Sequence, residues 1–271
     1  MASPLARPLP WDLVSAAYAD EVVPLFTPFA RAALDLAALA PDARIADVAC
    51  GPGTLALLAA PGVARVSALD FSPQMIAHLR SRAANHTNVE AQVGDGQALP
   101  WNDGSFDAAF SLFGLMFFPD RAAGFAELHR VLVPGGRAVV SSWHPPSAVP
   151  ALMMMYGALA EAQGAPPQPP GTLPLVSAED YEREMAAAGF DDIRVHTVST
   201  TLETTSTAEL WQGFARTSAP IVLTRQRYDD EAWADLSARV LGRLEAELGT
   251  GPQRVDMPAH LAVGTRVTRR P

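Results

Sequence analysis

The stretch that decides the fold of this chain reads Ile45-Ala46-Asp47-Val48-Ala49-Cys50-Gly51-Pro52-Gly53-Thr54-Leu55-Ala56. It has the pattern of a buried strand that ends near an acid, followed by a glycine turn and the start of a helix. In this arrangement backbone N–H groups can approach a nucleotide-like cofactor closely. Gly51, Gly53 and Ala56 fit the dinucleotide-binding fingerprint, and Asp70 follows at about the spacing, roughly 20 residues, that a ribose-binding acid requires.

Two classes of cofactor fit this turn, a nicotinamide dinucleotide and S-adenosylmethionine. Asp47 favours the second, because a carboxylate placed before the glycines can face a cationic methionine ammonium. A later acidic loop reads Val93-Gly94-Asp95-Gly96-Gln97-Ala98-Leu99-Pro100-Trp101. There Asp95 can accept a hydrogen bond from an adenine amino group, and the N–H groups of Gly96 and Gln97 can donate to the ring nitrogens. We therefore expect the two loops to hold opposite ends of one ligand.

A third motif reads Leu128-His129-Arg130-Val131-Leu132-Val133-Pro134-Gly135-Gly136-Arg137. With it, residues 44–143 resemble the class I S-adenosylmethionine-dependent methyltransferases, above all the branch of the ubiquinone and menaquinone C-methyltransferases. The resemblance implies an α/β fold with a Rossmann-like, doubly wound, seven-stranded sheet in the order 3-2-1-4-5-7-6, whose last strand is antiparallel. It also implies S-adenosyl-L-methionine as the cofactor.

The apolar pattern along the chain agrees with this fold class. Strand-like runs at 44–48, 65–69, 89–93, 106–112 and 136–142 alternate with helical segments, as in a parallel doubly wound sheet. We expect one domain over 1–271, made of N-terminal lid helices at 1–40, a cofactor-binding core at 44–143, and helical cap insertions at 145–176 and 201–257. Both insertions adjoin the carboxyl ends of strands, where ligands bind in open α/β sheets. They are predicted to cover the substrate, with a proline-rich connector at 165–171.

Composition excludes several classes of function. The chain has 49% hydrophobic and 18% charged residues, which is typical of a folded soluble protein. Its net charge of −9 argues against a nucleic-acid substrate, since such binding needs a basic surface. The single cysteine, Cys50, rules out an internal disulfide. Neither a signal peptide nor a membrane-spanning run is evident, and we expect a cytoplasmic protein that acts on a small molecule.

The predicted cofactor-binding residues are Asp47, Ala49, Gly51, Gly53, Asp70, Phe71, Met75, Asp95, Gly96, Gln97, Ser111 and Leu112. Asp70 ends the second strand and is expected to accept both ribose hydroxyls. By resemblance, Phe71 and Met75 lie on the two sides of the adenine, although packing in the core explains both equally well. Ser111 and Leu112 are expected, also by resemblance, to offer backbone carbonyls near the ligand ammonium.

Two residues are candidates for catalysis. His144 follows the fifth strand, from which a side chain can enter the pocket as a general base, or else hydrogen-bond within its loop. Tyr18 resembles a lid tyrosine that reaches the cofactor carboxylate, and an ordinary position on an amphipathic helix explains it as well. No histidine shows metal-ligand spacing. An apolar pocket and the core are alternative places for Met153, Met154, Met155, Trp143, Trp211 and Phe214.

These observations favour methyl transfer to a small, largely apolar or aromatic acceptor, through oxygen, nitrogen or carbon. A nicotinamide-dependent oxidoreductase is the alternative that the glycine turn suggests. The chain contains no lysine, which excludes mechanisms that need a catalytic lysine. A non-catalytic protein that binds the cofactor is the third interpretation.

Overall fold

Seven strands form one sheet in the order β3-β2-β1-β4-β5-β7-β6, in a computed structural model that describes residues 3–164 and 174–267. The strands are β1 (Arg44–Val48), β2 (Arg65–Asp70), β3 (Val89–Val93), β4 (Phe106–Leu112), β5 (Leu132–Trp143), β6 (Phe190–Thr204) and β7 (Gln253–Arg266). β7 pairs antiparallel with both β5 and β6, and the other pairs are parallel. The predicted fold class and strand order are thereby confirmed.

Ten α-helices surround the sheet in the described part of the chain. They are α1 (Pro8–Ala17), α2 (Val23–Ala37), α3 (Thr54–Ala59), α4 (Pro73–Arg82), α5 (Arg121–Val131), α6 (Pro150–Ala162), α7 (Ala178–Ala187), α8 (Thr207–Thr217), α9 (Ala219–Arg225) and α10 (Asp230–Leu248). Within the described residues, no helix has both the length and the apolar character needed to cross a membrane. The strand order reverses between β1 and β4, and a ligand crevice forms at such a point.

The N-terminal helices follow one another without a break. Although Pro24 lies among them, α1 continues through a π-helical turn (Tyr18–Val22) directly into α2. The N–H of Val23 donates to the carbonyl of Tyr18, which widens the helix there by one residue. Pro24 then lies in the first turn of α2, where a missing N–H does no harm.

Two apolar layers hold the sheet between helices. Ile45 and Val139 face a cluster that includes Phe29 of α2. The next residue on each strand, Ala46 or Val140, faces the opposite cluster with α5 and α7. This division follows from the alternation of side chains along a strand, and it makes the central strands apolar on both faces.

The strands near the second insertion are longer than predicted. β6 runs to Thr204 and β7 starts at Gln253, and these two residues still pair, so only 205–252 separate the strands instead of 201–257. The threonine-rich end of β6 favours this extension, because β-branched residues suit a strand. Helices α6, α8, α9 and α10 form a cap with its own apolar core, which includes Trp211 and Val240. The predicted proline-rich connector at 165–171 lies outside the described residues.

Arg130 anchors the loop that leads from β3 to β4. Its guanidinium donates to the carbonyls of Leu99 and Trp101, at 3.1 and 2.7 Å, and to the carboxylate of Asp103 at 2.7 Å. It also pairs with Glu127 on α5, at 2.6 and 2.8 Å. One side chain therefore fixes the loop that follows Asp95 against the body of the protein.

Replacing Arg130 tests this anchor. We expect Arg130→Leu to lower the free energy of unfolding by roughly 1.5–3 kcal/mol, because several charge-assisted hydrogen bonds to a half-buried group are lost. The control is Arg254→Leu, which breaks an ion pair with Glu203 whose side chains are both 69% exposed, and it should change stability by about 0.5 kcal/mol or less. Urea unfolding measures the free energy of unfolding of both variants. An equal loss of stability in the two would contradict the role of Arg130 as the anchor of the loop.

Candidate cofactor site

A cavity of about 230 Å³ opens at the carboxyl ends of the central strands. Ten of the predicted functional residues line it: Tyr18, Ala49, Gly51, Asp70, Phe71, Met75, Asp95, Gly96, Gln97 and Leu112. A smaller cavity of about 50 Å³ adjoins it, lined in part by Asp47. The two cavities share Tyr18, Ala49, Gly51 and Leu112 and therefore form one elongated site.

The two glycines of the first turn serve different purposes. Gly51 has φ +54°, and a Cβ added there would meet nothing within 4 Å, so its open side faces the cavities. At Gly53, with φ +88°, a Cβ would come within 2.2 Å of Leu79 on α4. Gly53 lines neither cavity, and its N–H donates to the carbonyl of Cys50 at 3.0 Å. Gly53 therefore permits close packing of the turn against α4, and the cavities give no support to its predicted contact with the cofactor.

Asp70 supports the glycine turn from the end of β2. Its two carboxylate oxygens accept hydrogen bonds from the backbone N–H groups of Gly51 at 2.8 Å and Ser72 at 2.9 Å. Ser72 itself caps α4 by accepting from the N–H of Met75 at 3.1 Å, so Asp70 is not needed as the helix cap. Burial raises the pKa of Asp70 to about 6, against the lowering effect of these N–H groups. Each carboxylate oxygen keeps a lone pair for a further donor.

Asp47 lines the smaller cavity, at one end of the elongated site, and its side chain is 2% exposed. Its carboxylate accepts a hydrogen bond from the N–H of Ala56 at 3.1 Å and so also caps the start of α3. Burial raises the pKa of Asp47 to about 7, and the nearby Asp70 carboxylate adds to the shift. A cation in the smaller cavity would stabilise the ionised form of this acid.

The loop after β3 supplies one free donor where two were predicted. The backbone N–H of Gln97 donates to Asp95 at 2.9 Å, so it is already satisfied. The Gln97 side chain binds Asp95 and also accepts from the N–H of Asp120 at 2.8 Å, which ties the loop to the start of α5. In the described structure the N–H of Gly96 has no protein acceptor. The N–H of Gly96 is therefore available to a ligand, whereas the N–H of Gln97 is already used within the loop.

The end of β4 contributes in part as expected. Leu112 lines both cavities, whereas Ser111 is fully buried and lines neither. The Ser111 hydroxyl has no hydrogen-bond partner within the described residues. Phe113 follows with φ 58° and lines the larger cavity, and Ala49 at the end of β1 has φ 56°. Two non-glycine residues in the left-handed region at neighbouring strand ends are typical of a functional site.

Tyr18 reaches the site from the π-helical turn and lines both cavities. Burial, together with the nearby Asp70 carboxylate, raises the pKa of the Tyr18 phenol well above its usual value. The hydroxyl therefore stays protonated at neutral pH and is suited to donate a hydrogen bond, not to act as a base. Trp11 lines the larger cavity too, although it was not among the predicted residues. Its spacing of two helical turns before Tyr18 was the available signal.

His144 lines neither cavity, so the geometry gives no support to its predicted role as a general base. Its ring stacks on His260 of β7 with centroids 3.8 Å apart, and its Nε2 lies 3.3 Å from the hydroxyl of Thr197 on β6. The preceding Trp143 instead packs against Phe113, with ring centroids 4.3 Å apart. Because neighbouring side chains on a strand point to opposite faces, His144 and Trp143 cannot both face the site.

Five aromatic rings contact one another beside the smaller cavity and are here called the aromatic wall: Tyr18, Phe26, Phe29, Phe113 and Trp143. Tyr18 and Phe26 line the smaller cavity and Phe113 lines the larger one, whereas Phe29 is fully buried behind them. Phe26 is central, with ring centroids 5.7 Å from Tyr18, 4.7 Å from Phe113 and 5.5 Å from Trp143. Edge and tilted contacts of this kind are favourable and hold the rings in place.

The other aromatic and methionine residues proposed for a pocket belong to the cap. Trp211 and Met155 are buried in the cap core, and Met154 and Phe214 pack against it. The indole N–H of Trp211 donates to Ser237 at 2.7 Å. Among residues 3–164 and 174–267, no group of three or more His, Cys, Asp or Glu side chains is placed to hold a metal ion.

Comparisons with known proteins agree with this geometry. A family model described as a methyltransferase domain matches residues 45–136. A demethylmenaquinone methyltransferase of Thermus thermophilus is 45% identical over 120 residues, which cover 43% of this chain and 54% of that protein. The ubiquinone/menaquinone biosynthesis C-methyltransferase UbiE of Citrifermentans bemidjiense is 31% identical over 169 residues, covering 56% of this chain and 72% of the relative. This chain belongs to the class I S-adenosylmethionine-dependent methyltransferases.

The matches place the chain in the UbiE-like branch of these methyltransferases. The chain spans about half the length of the first relatives that it matches, which are covered to 54% and 45%. The YcgJ protein of Bacillus subtilis has the same fold, with a TM-score of 0.57, 20% identity, and coverage of 88% of this chain and 98% of that one. The family assignment decides against a nicotinamide dinucleotide as the cofactor.

The residues at the site fit the cofactor of this family. Asp70 has lone pairs left for two hydroxyls, and the free N–H of Gly96 fits a ring nitrogen. The open side of Gly51 leaves the room that a closely approaching ligand needs. These features leave hydrogen-bonding groups and space that a bound nucleoside can use.

The open side of Gly51 can be tested by filling it. We expect Gly51→Ala to weaken the binding of S-adenosylhomocysteine at least tenfold, because the added methyl group projects into the cavity. Gly135→Ala is the control, since Gly135 also has positive φ, +84°, with nothing within 4 Å of an added Cβ. Both variants should lose roughly 1 kcal/mol of stability from the left-handed backbone. Calorimetry that found the same affinity for both variants would contradict the assignment.

Proposed function

We propose that this protein transfers a methyl group from S-adenosylmethionine to a small, planar, quinone-like aromatic acceptor. The observation that carries the proposal is the aromatic wall, which adjoins the cavity at the end lined by Asp47 and Tyr18. The rings of this wall that line the cavities are Tyr18, Phe26 and Phe113, and a planar acceptor can pack against them. The names of the relatives, which methylate quinone precursors, support the same class of acceptor.

Three acids in the elongated site bind three different parts of the cofactor. In the proposal Asp70 binds the ribose hydroxyls, Asp95 and the N–H of Gly96 bind the adenine, and Asp47 faces the methionine ammonium. The larger cavity has Phe71 and Met75 in its lining to pack against the adenine ring. The cofactor supplies a methyl group that is already activated as a sulfonium.

The residues of the chain then contribute alignment and exclusion of water. Holding two reactants in line can supply most of the acceleration, with effective molarities of order 10⁵ M or more. Leu112, Phe113 and Phe26 present apolar surface around the transfer point. The protonated hydroxyl of Tyr18 is placed to donate to an acceptor oxygen or to the cofactor.

The lid helices and the cap are proposed to close the site. Val14 of α1, Met75 of α4 and Ala219 of α9 are buried together, which joins lid, core and cap in one small apolar cluster. Glu21 at the π-helical turn pairs with Arg216 of α8 at 2.9 and 3.0 Å. The lid therefore lies between the cofactor-binding core and the cap.

Turnover tests the proposal directly. The protein is incubated with S-adenosylmethionine and a reduced naphthoquinone that lacks a ring methyl group, and mass spectrometry follows the product. We expect a product heavier by one methylene unit, and none from aliphatic amines of similar size. Binding of S-adenosylhomocysteine without turnover of any aromatic acceptor would contradict the proposal and favour a non-catalytic cofactor-binding protein.

A substitution in the aromatic wall separates the acceptor from the cofactor. We expect Trp143→Leu to raise KM for the aromatic acceptor about fivefold or more, as an aromatic contact of roughly 1 kcal/mol is lost. Affinity for S-adenosylhomocysteine should stay within about twofold. The control is Trp233→Leu, at a residue that packs against the cap core, and it should leave both constants unchanged. If the two variants changed KM equally, the aromatic wall would have no specific part in acceptor binding.

The raised pKa of Asp47 predicts how cofactor binding depends on pH. In the free protein this acid has a pKa of about 7, and a bound ammonium lowers it. The ionised form then binds better, so affinity for S-adenosylhomocysteine rises as pH increases from 6 to 8, with release of a proton. Calorimetry in two buffers of different ionisation enthalpy measures that release. Asp47→Asn should abolish it, and an unchanged proton release in this variant would exclude Asp47 from the ammonium site.

A further inference from the structure

The lid helix α1 is hydrogen-bonded to the start of α4, next to the ribose-binding acid. Asp12 on α1 accepts from the hydroxyl of Ser72 at 2.5 Å and from the N–H of Gln74 at 3.3 Å. Asp12 is half-buried and Ser72 is fully buried. Sixty residues separate Asp12 from Ser72 along the chain, so this is a tertiary contact that only the folded lid can make.

A continuous chain of hydrogen bonds links the glycine turn to the lid. The N–H of Gly51 donates to Asp70, which also accepts from the N–H of Ser72, and the hydroxyl of Ser72 donates to Asp12. The carboxylate of Asp70 therefore lies between the turn on one side and the lid on the other. A shift of α1 is transmitted to the group that we assign to the ribose.

The lid that Asp12 fixes also covers the larger cavity. Ala6, Trp11 and Tyr18 belong to the lid segment and line that cavity. The ring of Trp11, the direct neighbour of Asp12, packs edge-on against Phe117 with centroids 4.9 Å apart. Fixing Asp12 thus fixes the aromatic side chain that lies over the site.

Asp12 caps α4 from a different element. Ser72 accepts from the N–H of Met75 within the same segment, whereas Asp12 accepts from the N–H of Gln74 and adds a second cap that only the seated lid supplies. The carboxylate of Asp12 also lies close enough to Asp70 to raise its pKa, which is an unfavourable approach of two like charges. Two favourable interactions offset this repulsion: the helix dipole at the start of α4 and the hydrogen bonds donated to Asp12. Both exist only while the lid is in place against α4.

We propose that Asp12 is a positioning residue, which couples the seating of the lid helix to the ribose-binding end of the cofactor site. The inference rests on the proposed function for the identity of the ligand, but the contact between the lid and α4 exists without it. In this arrangement the lid slows cofactor release, since Trp11 and Tyr18 must move before the ligand leaves.

A second lid contact provides a matched control. Glu21 and Arg216 form a bidentate ion pair between the π-helical turn and the cap, and their side chains are 39% and 52% exposed. Such an exposed pair contributes little to stability. Glu21→Gln therefore removes a weak lid contact that lies away from the ribose-binding acid.

The test compares Asp12→Ala, Asp12→Asn and Glu21→Gln with the wild-type protein. Hydrogen exchange is measured over residues 8–17 without ligand, and the dissociation rate of S-adenosylhomocysteine is followed by stopped-flow tryptophan fluorescence. We expect Asp12→Ala to speed both about tenfold or more, from the loss of charge-assisted hydrogen bonds, with little change in the association rate. Asp12→Asn keeps an acceptor oxygen, so its exchange and dissociation rates should lie between those of the wild-type protein and Asp12→Ala. Glu21→Gln should leave the dissociation rate within about twofold of the wild-type value.

Several outcomes would overturn the proposal. One is an unchanged exchange rate over α1 in Asp12→Ala, and another is an unchanged dissociation rate. Faster exchange that is equal in α1 and in the central strands would show a general loss of stability and would also overturn it. If the wild-type protein bound no S-adenosylhomocysteine, the proposed function would fail, while the exchange of α1 would still decide whether Asp12 holds the lid.

Discussion

The hydrogen bond from the N–H of Gly51 to the carboxylate of Asp70 is the interaction on which the site depends. It joins the turn after β1 to the end of the neighbouring strand β2. The N–H of Ser72 adds a bond to the same carboxylate and sets the start of α4. A buried acid with two backbone donors thus determines the shape of the turn while its remaining lone pairs stay free for a ligand.

The lid and the aromatic wall follow from that geometry. The start of α4 holds Asp12, and α1 in turn brings Trp11 over the larger cavity and leads to Tyr18 at the junction with the smaller one. The ring of Tyr18 contacts Phe26, where the aromatic wall begins. Cofactor site, lid and acceptor surface are therefore parts of one connected structure, which explains why the proposed acceptor surface lies next to the Asp47 end.

Local signals in the sequence predicted the sheet and the positions of Asp70 and Gly96, because a strand, a glycine turn and a helix start are coded by neighbouring residues. The side to which His144 points could not be predicted in this way, since it depends on strand pairing and on Trp143 packing inward. The different roles of Gly51 and Gly53 could not be predicted either, because they depend on Leu79, which packs against Gly53 only in the folded protein. The contact of Asp12 was likewise invisible, because Ser72 is far away in the sequence.

The affinity of S-adenosylhomocysteine for the wild-type protein and for Asp70→Ala tests the central claim most directly. Asp107→Ala is the matched control, because Asp107 also accepts a backbone N–H, that of Arg44 at 2.8 Å, but at the opposite edge of the sheet. The account predicts micromolar binding to the wild-type protein and at least tenfold weaker binding to Asp70→Ala, with Asp107→Ala unchanged. Wild-type affinity in a folded Asp70→Ala variant would contradict it.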